Sequence, residues 1–542
     1  MTVLKPSRRG FLSAAVLLGG AVGTGLLSGC SGGSSTGGTA ANSKVALPAY
    51  IPSSLVEADL PGKGAAIQAG FFKYPLDNLR KTVEAAPGNG NSLSFLTLTF
   101  GAVGTAKEQN RYWQFMNKEL NADMDVQTTL ADSYLQKVQT VVAGGQIPDM
   151  VTFGSNYPIP QTPALLKSKF TDITSHVSGD AIKAYPNLAN IPTEAWQATV
   201  FNGGIYGVPC PRPTGGAPIL AYTDSFEAAG VTAAPKNLED LRKALKAVTD
   251  PGKSLWGVSN PFSAAYYGRL GNGSPNNWRQ EAGKFTHEIE TAEFEAALAW
   301  AAQVKQDGSI HPDGITVEDG NRLFAARNVA TTLGSATGWP GVYAAAVKAG
   351  TKVAPWVAPA AEGKSAVLHA GSPYGFFTAF AKTDDAERIK EMLRIANYMA
   401  SPFGSQEHLN VTYGVKDLHW TDKNGVITPT DLAKTEKGIS FSYLSNAPIP
   451  QFNPGFDEGT KLIHEFQTKT ETMLINDPSL VLFSDTWSNK KAQLNTLITT
   501  AINDVVLGRK PVTAIKSELV PAWKAAGGDQ ARKEFEEAFA AA

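Results

Sequence analysis

The stretch from Leu93 to Phe153 leaves this chain the least freedom. Leu93-Ser94-Phe95-Leu96-Thr97-Leu98-Thr99-Phe100 alternates and is rich in β-branched and aromatic residues, which predicts a strand with 101–105 as the loop after it. Over 110–120, Tyr112, Phe115, Met116 and Leu120 fall on one helical face. A second strand is expected at 124–129. A second helix follows at 132–142, with Leu135, Val138 and Val142 inward and Gly144-Gly145 as its stop. Residues 148–153 supply a third strand. Strand, helix, strand, helix, strand with short links points to right-handed βαβ units and a parallel sheet.

The pattern changes after Gly204-Ile205-Tyr206-Gly207-Val208-Pro209. Proline and glycine crowd 209–218, and 219–222 reads as a strand leading into further helices. One helix is well marked: Asn237 is the expected N-cap with Asp240 three residues on, and Leu238, Leu241, Leu245 and Val248 share a face. Another spans 386–399 with Ile389, Met392, Leu393 and Ala396 inward. It follows a second Gly/Pro-rich passage, Gly371-Ser372-Pro373-Tyr374-Gly375. The chain of 542 residues is long enough for two to four domains or one large bilobed unit.

The N-terminus reads as an address rather than as fold. Lys5, Arg8 and Arg9 precede an uncharged run from Phe11 to Leu27, then small residues and Cys30, the anatomy of a secretory signal. The run is about 17 residues with four glycines, short of the roughly 20 apolar residues that a membrane span needs. Ser7-Arg8-Arg9-Gly10-Phe11-Leu12 resembles a twin-arginine export signal. Leu27-Ser28-Gly29-Cys30 resembles a bacterial lipobox, whose cysteine is lipidated and becomes the mature N-terminus. The expectation is a signal over 1–29, then a lipidated flexible tether over 30–60 that begins with the Gly/Ser/Thr/Ala tract 31–41, and a protein held by Cys30 at the extracytoplasmic face of the cell membrane. With Cys30 lipidated, Cys210 has no thiol partner and is expected to be a buried free cysteine.

Lys plus Arg number 48 and Asp plus Glu 49, so no global field recruits nucleic acid, and uncharged or weakly charged partners are the default. Enzyme signatures fail. Gly252-Lys253-Ser254 and Gly363-Lys364-Ser365 resemble P-loop tails, but Ala247 and Ala358 stand where the earlier glycine belongs. No G-x-S-x-G elbow is present, and the seven histidines are scattered without metal-ligand spacing. Asp422-Lys423-Asn424-Gly425 hints at a calcium loop, but Ala433 occupies the twelfth position and the segment reads as a turn. No cofactor and no metal is expected. A pair of carboxylates for glycoside cleavage remains open among 49 acids.

Three segments carry a resemblance to a family. Asp132-Ser133-Tyr134-Leu135-Gln136-Lys137 followed by Ala143-Gly144-Gly145-Gln146-Ile147-Pro148-Asp149 is similar to "D-x-Y-x-x-K … A-G-G-x-x-P-D". Asn202-Gly203-Gly204-Ile205-Tyr206-Gly207-Val208-Pro209 is similar to "G-K-I-Y-G-V-P", and the segment 321–330 to "F-x-x-G-K-x-A-M". From Leu93 to the C-terminus the chain resembles the extracellular solute-binding proteins of ABC importers, in the carbohydrate-binding, maltose-binding-protein-like branch. It departs from the pattern at Asn328-Val329, where Gly-Lys is common, and at Thr331-Thr332, where Met is usual.

The resemblance implies an α/β, two-lobed, periplasmic-binding-protein-like type II fold, each lobe a mixed, mainly parallel sheet flanked by helices. Lobe one would comprise 61–213 and 376–450, lobe two 214–375 and 451–542, with hinges at 211–216 and 371–375. It further implies a monomer that captures a neutral oligosaccharide in the interlobe cleft and passes it to ABC permease subunits, which work with a cytoplasmic ATPase. A tethered polysaccharide-cleaving enzyme, a binder of a non-sugar solute such as a peptide, and a sensor that never meets a transporter are the alternatives.

A sugar site stacks aromatic planes on apolar C–H faces and aims polar groups at the hydroxyl rim. Trp339, set between turn residues in Gly338-Trp339-Pro340-Gly341, is the leading candidate, also by resemblance to maltose-binding-type relatives. Asn156 and Tyr157 follow the third strand, at the carboxyl edge where open α/β sheets bind ligands. Asn260, Phe262 and Tyr266 match a ligand-contact segment of the second lobe, with core packing as the alternative. Arg212 and Tyr374 sit at the two crossovers, as ligand residues or hinge struts, and Trp278 completes the set. Trp113 and Trp300 lie in helical patterns and are expected to pack.

Overall fold

A computed structural model describes residues 41–155, 157, 159–314 and 316–541. The export signal, Cys30 and residues 31–40 of the tether lie outside them, as does Asn156.

Along the chain, strands β1 (Ser92–Thr99), β2 (Asp123–Leu130) and β3 (Met150–Gly154) alternate with helices Arg111–Leu120 and Ala131–Gly144. Each boundary has a local cause. Asn110 Oδ1 accepts from the Trp113 amide and starts the first helix, and Gly145, at φ 73°, ends the second. β1 runs parallel to both β2 and β3. The chain leaves this lobe after β4 (Val208–Pro211).

The second lobe holds β5 (Ile219–Tyr222), β6 (Trp256–Val258), β7 (Val329–Leu333) and β8 (Val353–Trp356), in the order β8-β5-β7-β6. Helix Leu238–Val248 starts where Asn237 Oδ1 accepts from the Asp240 amide at 2.8 Å, as its sequence predicts. The chain then returns as β9 (Tyr374–Phe380), which inserts between β3 and β4 to complete the order β2-β1-β3-β9-β4. β9 is antiparallel to both neighbours. In the second sheet only the β7–β6 pair is parallel. The sheets are therefore mixed but mainly parallel in strand direction, as expected: in each, only the strand that enters from the other lobe, β9 in the first and β5 in the second, runs against the rest.

Two main groups of buried side chains result. One draws on 219–368 and 463–535; around the first sheet the core draws on 93–210 and 376–444. Trp113 and Trp300 belong to these cores, each 7% exposed, with indole N–H groups donating to Met124 O and Leu238 O. Cys210 is buried and free.

The segment expected to be tether up to residue 60 is packed well before that point. Val45, Leu47 and Ala49 lie against the first core, and the amides of Ala49 and Ile51 donate to Gly179 O and Ala189 O. Apolar residues every second position give this stretch a face to bury, which the Gly/Ser tract before it lacks.

The segment reaches the crossings between lobes. The Thr214 amide donates to Ala65 O, and Gly70–Phe71 pairs in parallel with Gln451–Phe452. Between them, the buried Gln68 accepts at Oε1 from Gln451 at 2.6 Å and from Gln467 at 2.8 Å. The two Gly/Pro passages run side by side. The Arg212 amide donates to Pro373 O at 2.9 Å, and that of Gly371 to Thr214 O at 3.1 Å.

Candidate functional site

At the carboxyl edge of the first sheet the chain exposes aromatic rings where loops leave the strands. β1 is followed by Phe100, which is 63% exposed. After β3 a tight turn, with the Tyr157 amide donating to Gly154 O at 3.1 Å, brings Tyr157 to 6.2 Å from the Phe100 ring, centroid to centroid. Phe376 from β9 and Tyr443 stand 6.4 and 6.3 Å from Phe100, and 4.7 Å from one another. Gly154 makes this convergence possible: a Cβ there would sit 3.0 Å from the Tyr157 ring and 3.1 Å from that of Phe376. An exposed ring backed by three others is a stacking surface for an apolar face.

Cavities open on both sides of this cluster. One, of about 330 Å³, is bounded by Ser155 and Tyr157 of the first lobe, Asn277 and Lys491 of the second, and Ser372 and Tyr374 of the crossover. Burial pushes the Tyr374 hydroxyl up to about 12, so it remains a neutral donor. Asp477, also in the lining, is fully engaged: Ser479 donates to it through N–H and O–H, and Asn277 through its amide. Another cavity, of about 420 Å³, places Arg212, Tyr413 and Tyr443 opposite Thr337 and Pro340. Phe100 touches a ring from each lining, Tyr157 of the first and Tyr443 of the second.

Of the residues expected from sequence, Tyr157, Tyr374 and Arg212 line these cavities. Three others are placed in structural roles. Trp339 is 0% exposed, because Gly338-Trp339-Pro340 is the start of helix Trp339–Lys348 rather than a loop. Its indole N–H donates to Gly459 O at 2.6 Å, and it is Pro340 that reaches the cavity. Trp278 is 1% exposed, packed in a hairpin against His287, Phe535 and Trp523, while its neighbours Asn276 and Asn277 face the other cavity. Asn260 is a buried N-cap: its Oδ1 accepts from the Ser263 amide and its Nδ2 donates to Thr316 O. Phe262 and Tyr266 are half-buried, stacked on each other at 6.2 Å and packed on the second core. Tyr266 meets His369 edge-on at 5.4 Å, two residues before the second crossover, yet neither ring lines the cavities described.

Phe100 and Tyr443 were not singled out by the sequence. Phe100 closes an alternating strand pattern and reads as its last inward residue. The signal that separates it from Leu98 is the glycine immediately after it, which marks a strand end. Tyr443 lies in a short 3-10 turn, Phe441–Tyr443, with no periodicity to announce it.

Comparison with known proteins bears on the fold and the family. A curated relative, the polygalacturonan/rhamnogalacturonan-binding protein YtcQ of Bacillus subtilis, is 23% identical over 484 residues, 84% of this chain and 93% of its own. An HMO-binding solute-binding protein associated with an ABC transporter, from Bifidobacterium longum infantis, superposes with a TM-score of 0.62 at 13% identity. The match covers 83% of this chain and 99% of the other. The alginate-binding protein AlgQ2 superposes with a TM-score of 0.59 at 15% identity, over 85% and 100% of the two chains. Both solved structures share the two-lobed fold. The family model for bacterial extracellular solute-binding proteins matches residues 99–402, more than half of the chain, and the protein belongs to that family.

Proposed function

We propose that this protein captures an oligosaccharide between its lobes outside the cell membrane, held there by a lipid on Cys30, and presents it to the permease subunits of an ABC importer. The observation that carries the reading is the exposed Phe100 ring, backed by Tyr157, Phe376 and Tyr443 at the carboxyl edge of the first sheet and flanked by cavities that both lobes line. A pyranose stacks on such a ring by its C–H face, while the Asn277 and Tyr374 side chains lie within the same lining as partners for hydroxyls. Saccharide polymers or oligomers named for the relatives support the ligand class. Lobe one is taken as 61–213 with 376–450 and lobe two as 214–375 with 451–542, the molecule working as a monomer. Closure follows if the ligand touches both lobes only in the shut state, and the few chain crossings at Pro211–Gly216 and Gly371–Gly375 absorb the rotation. No chemistry on the ligand is required.

The test uses the full chain in a non-glycosidic detergent. Trp487 lines the first cavity and serves as a fluorescent reporter. A panel of oligosaccharides is titrated while new reducing ends are assayed on the same samples. A saturable spectral change without new reducing ends is expected. New reducing ends would make the protein an enzyme, and silence across the panel would point to a solute other than sugar.

A further inference from the structure

Arg212 is a cation without a counter-charge in the middle of the interlobe cleft. Its backbone is fixed, since its amide donates to Pro373 O, and its side chain lies across Gly375, where a Cβ would stand 2.9 Å from Nε and 3.2 Å from Cγ. The guanidinium carbon is 5.9 Å from the centre of the Phe376 ring, so the group is docked on the same aromatic cluster that offers the stacking surface. Of its five N–H donors, one points to Pro211 O at 3.4 Å, beyond a good hydrogen bond, and among the described residues no carboxylate pairs with it.

The lining around it is otherwise uncharged. Two cavities have Arg212 in their walls, one of about 420 Å³ and one of about 330 Å³. Their remaining side chains are apolar, aromatic or neutral polar, with Gln68, Asn190 and Asn446 among the last, and the single histidine is drawn by burial to about 4. In the cavity on the other side of the cluster, Lys491 and Asp477 offset each other's charge. A half-buried guanidinium that loses water on lobe closure needs an anion to offset that loss, and none of the described residues supplies one.

We infer that the ligand carries a carboxylate and that Arg212 is the residue that meets it, which makes the bound solute an acidic, uronate-type oligosaccharide rather than a neutral one. The inference rests on the oligosaccharide reading above and names its class. The geometry suits it. A pyranose stacked near Phe100 and Phe376 carries a C6 carboxylate at its rim, and a guanidinium held by an aromatic face presents its fork to such a rim. The pair is bidentate, which a lysine cannot reproduce. Arg212 also follows β4 directly, so the anion would be gripped at the hinge itself.

The experiment is calorimetric titration of the full chain with trimers of galacturonate and of mannuronate, with each trimer's fully methyl-esterified form, and with neutral galactotriose. At least one acidic trimer is expected to bind about ten- to hundred-fold more tightly than its ester, in line with the loss of a charge-assisted hydrogen-bonded pair. R212Q is expected to abolish the preference for the acid over the ester. R212K is expected to fall between. Near-UV circular dichroism of each variant confirms the fold. Equal affinity for acid and ester, unaltered acid binding by R212Q, or tight binding of galactotriose alone would overturn the inference and leave the oligosaccharide reading standing. Failure of every saccharide to bind would overturn that reading and this inference with it.

Discussion

Replacing Trp339 distinguishes the role that the sequence suggests from the one that the structure gives it. If the indole lined the cleft, W339F would weaken ligand binding and spare the fold. Its 0% exposure and its 2.6 Å bond to Gly459 O require the reverse. Gly459 is the third residue of helix Asp457–Thr470, so by helix geometry its carbonyl also accepts the amide four residues on. Losing the indole bond therefore leaves it half satisfied, and the cost falls near the low end of the usual range, about 1 kcal/mol. Removing the pyrrole ring from a site walled by Tyr343 and by helix Asp457–Thr470 leaves a cavity that costs about 1–2 kcal/mol more. W339F should thus lose about 2–3 kcal/mol, and W339A about 3–5 kcal/mol. For a lobe of this size, the W339F loss lowers Tm by about 2–4 °C per kcal/mol. The assay is thermal unfolding by near-UV circular dichroism, alongside titration with whichever oligosaccharide the wild-type chain binds. W339F should keep its affinity within about two-fold, because Pro340 and Thr337, not the indole, face the cavity. A ten-fold loss of affinity at unchanged Tm would refute the assignment.

The same displacement occurs at Trp278. In both places a neighbour of the tryptophan lines a cavity while the indole itself is buried. Gly338-Trp339-Pro340-Gly341 reads as a loop, although proline in the second position of a helix is itself a start signal. Once the helix begins at Trp339, the tryptophan and the proline point to different sides. At 276–278 the turn, with Asn277 at φ 55°, gives Asn276 and Asn277 to the cavity and Trp278 to the hairpin's buried face. Turn chemistry fixes where the chain reverses, but which residue points inward depends on a one-residue register set by distant packing, here by Trp523 and Phe535. By contrast, β1 to β3 and helix 386–399 were legible because their periodicity and caps are local. The aromatic cluster was not, since Phe100, Tyr157, Phe376 and Tyr443 come from four separate stretches and meet only when β9 returns from the second lobe.

Two further outcomes test the same physical picture. Burial pulls His287 and His369 down to about 3 and His408 down to about 4, while it pushes Glu288 up to about 7. Between pH 6 and 5 the unfolded chain therefore takes up protons on three histidines that the folded chain refuses, and the folded chain holds one on Glu288 that the unfolded chain releases. Net uptake of about two protons on unfolding costs the fold about 2.7 kcal/mol over that unit. Urea midpoints at the two pH values should show the loss, H369Q should cut the slope by about half, and a wild-type stability that rose on acidification would contradict the assignment. At the hinge, Gly375 is the residue that lets the Arg212 side chain lie flat, and G375A places a methyl carbon 2.9 Å from its Nε. The clash is with the flexible end of a side chain and not with backbone, so the fold should keep its Tm within a few degrees while the guanidinium is lifted off its seat. If Arg212 grips a carboxylate from that seat, G375A should lose acid-over-ester selectivity about as R212Q does, although the arginine is still present. Full selectivity in G375A would mean that the guanidinium reaches its anion from another rotamer and that its resting place on Phe376 has no part in recognition.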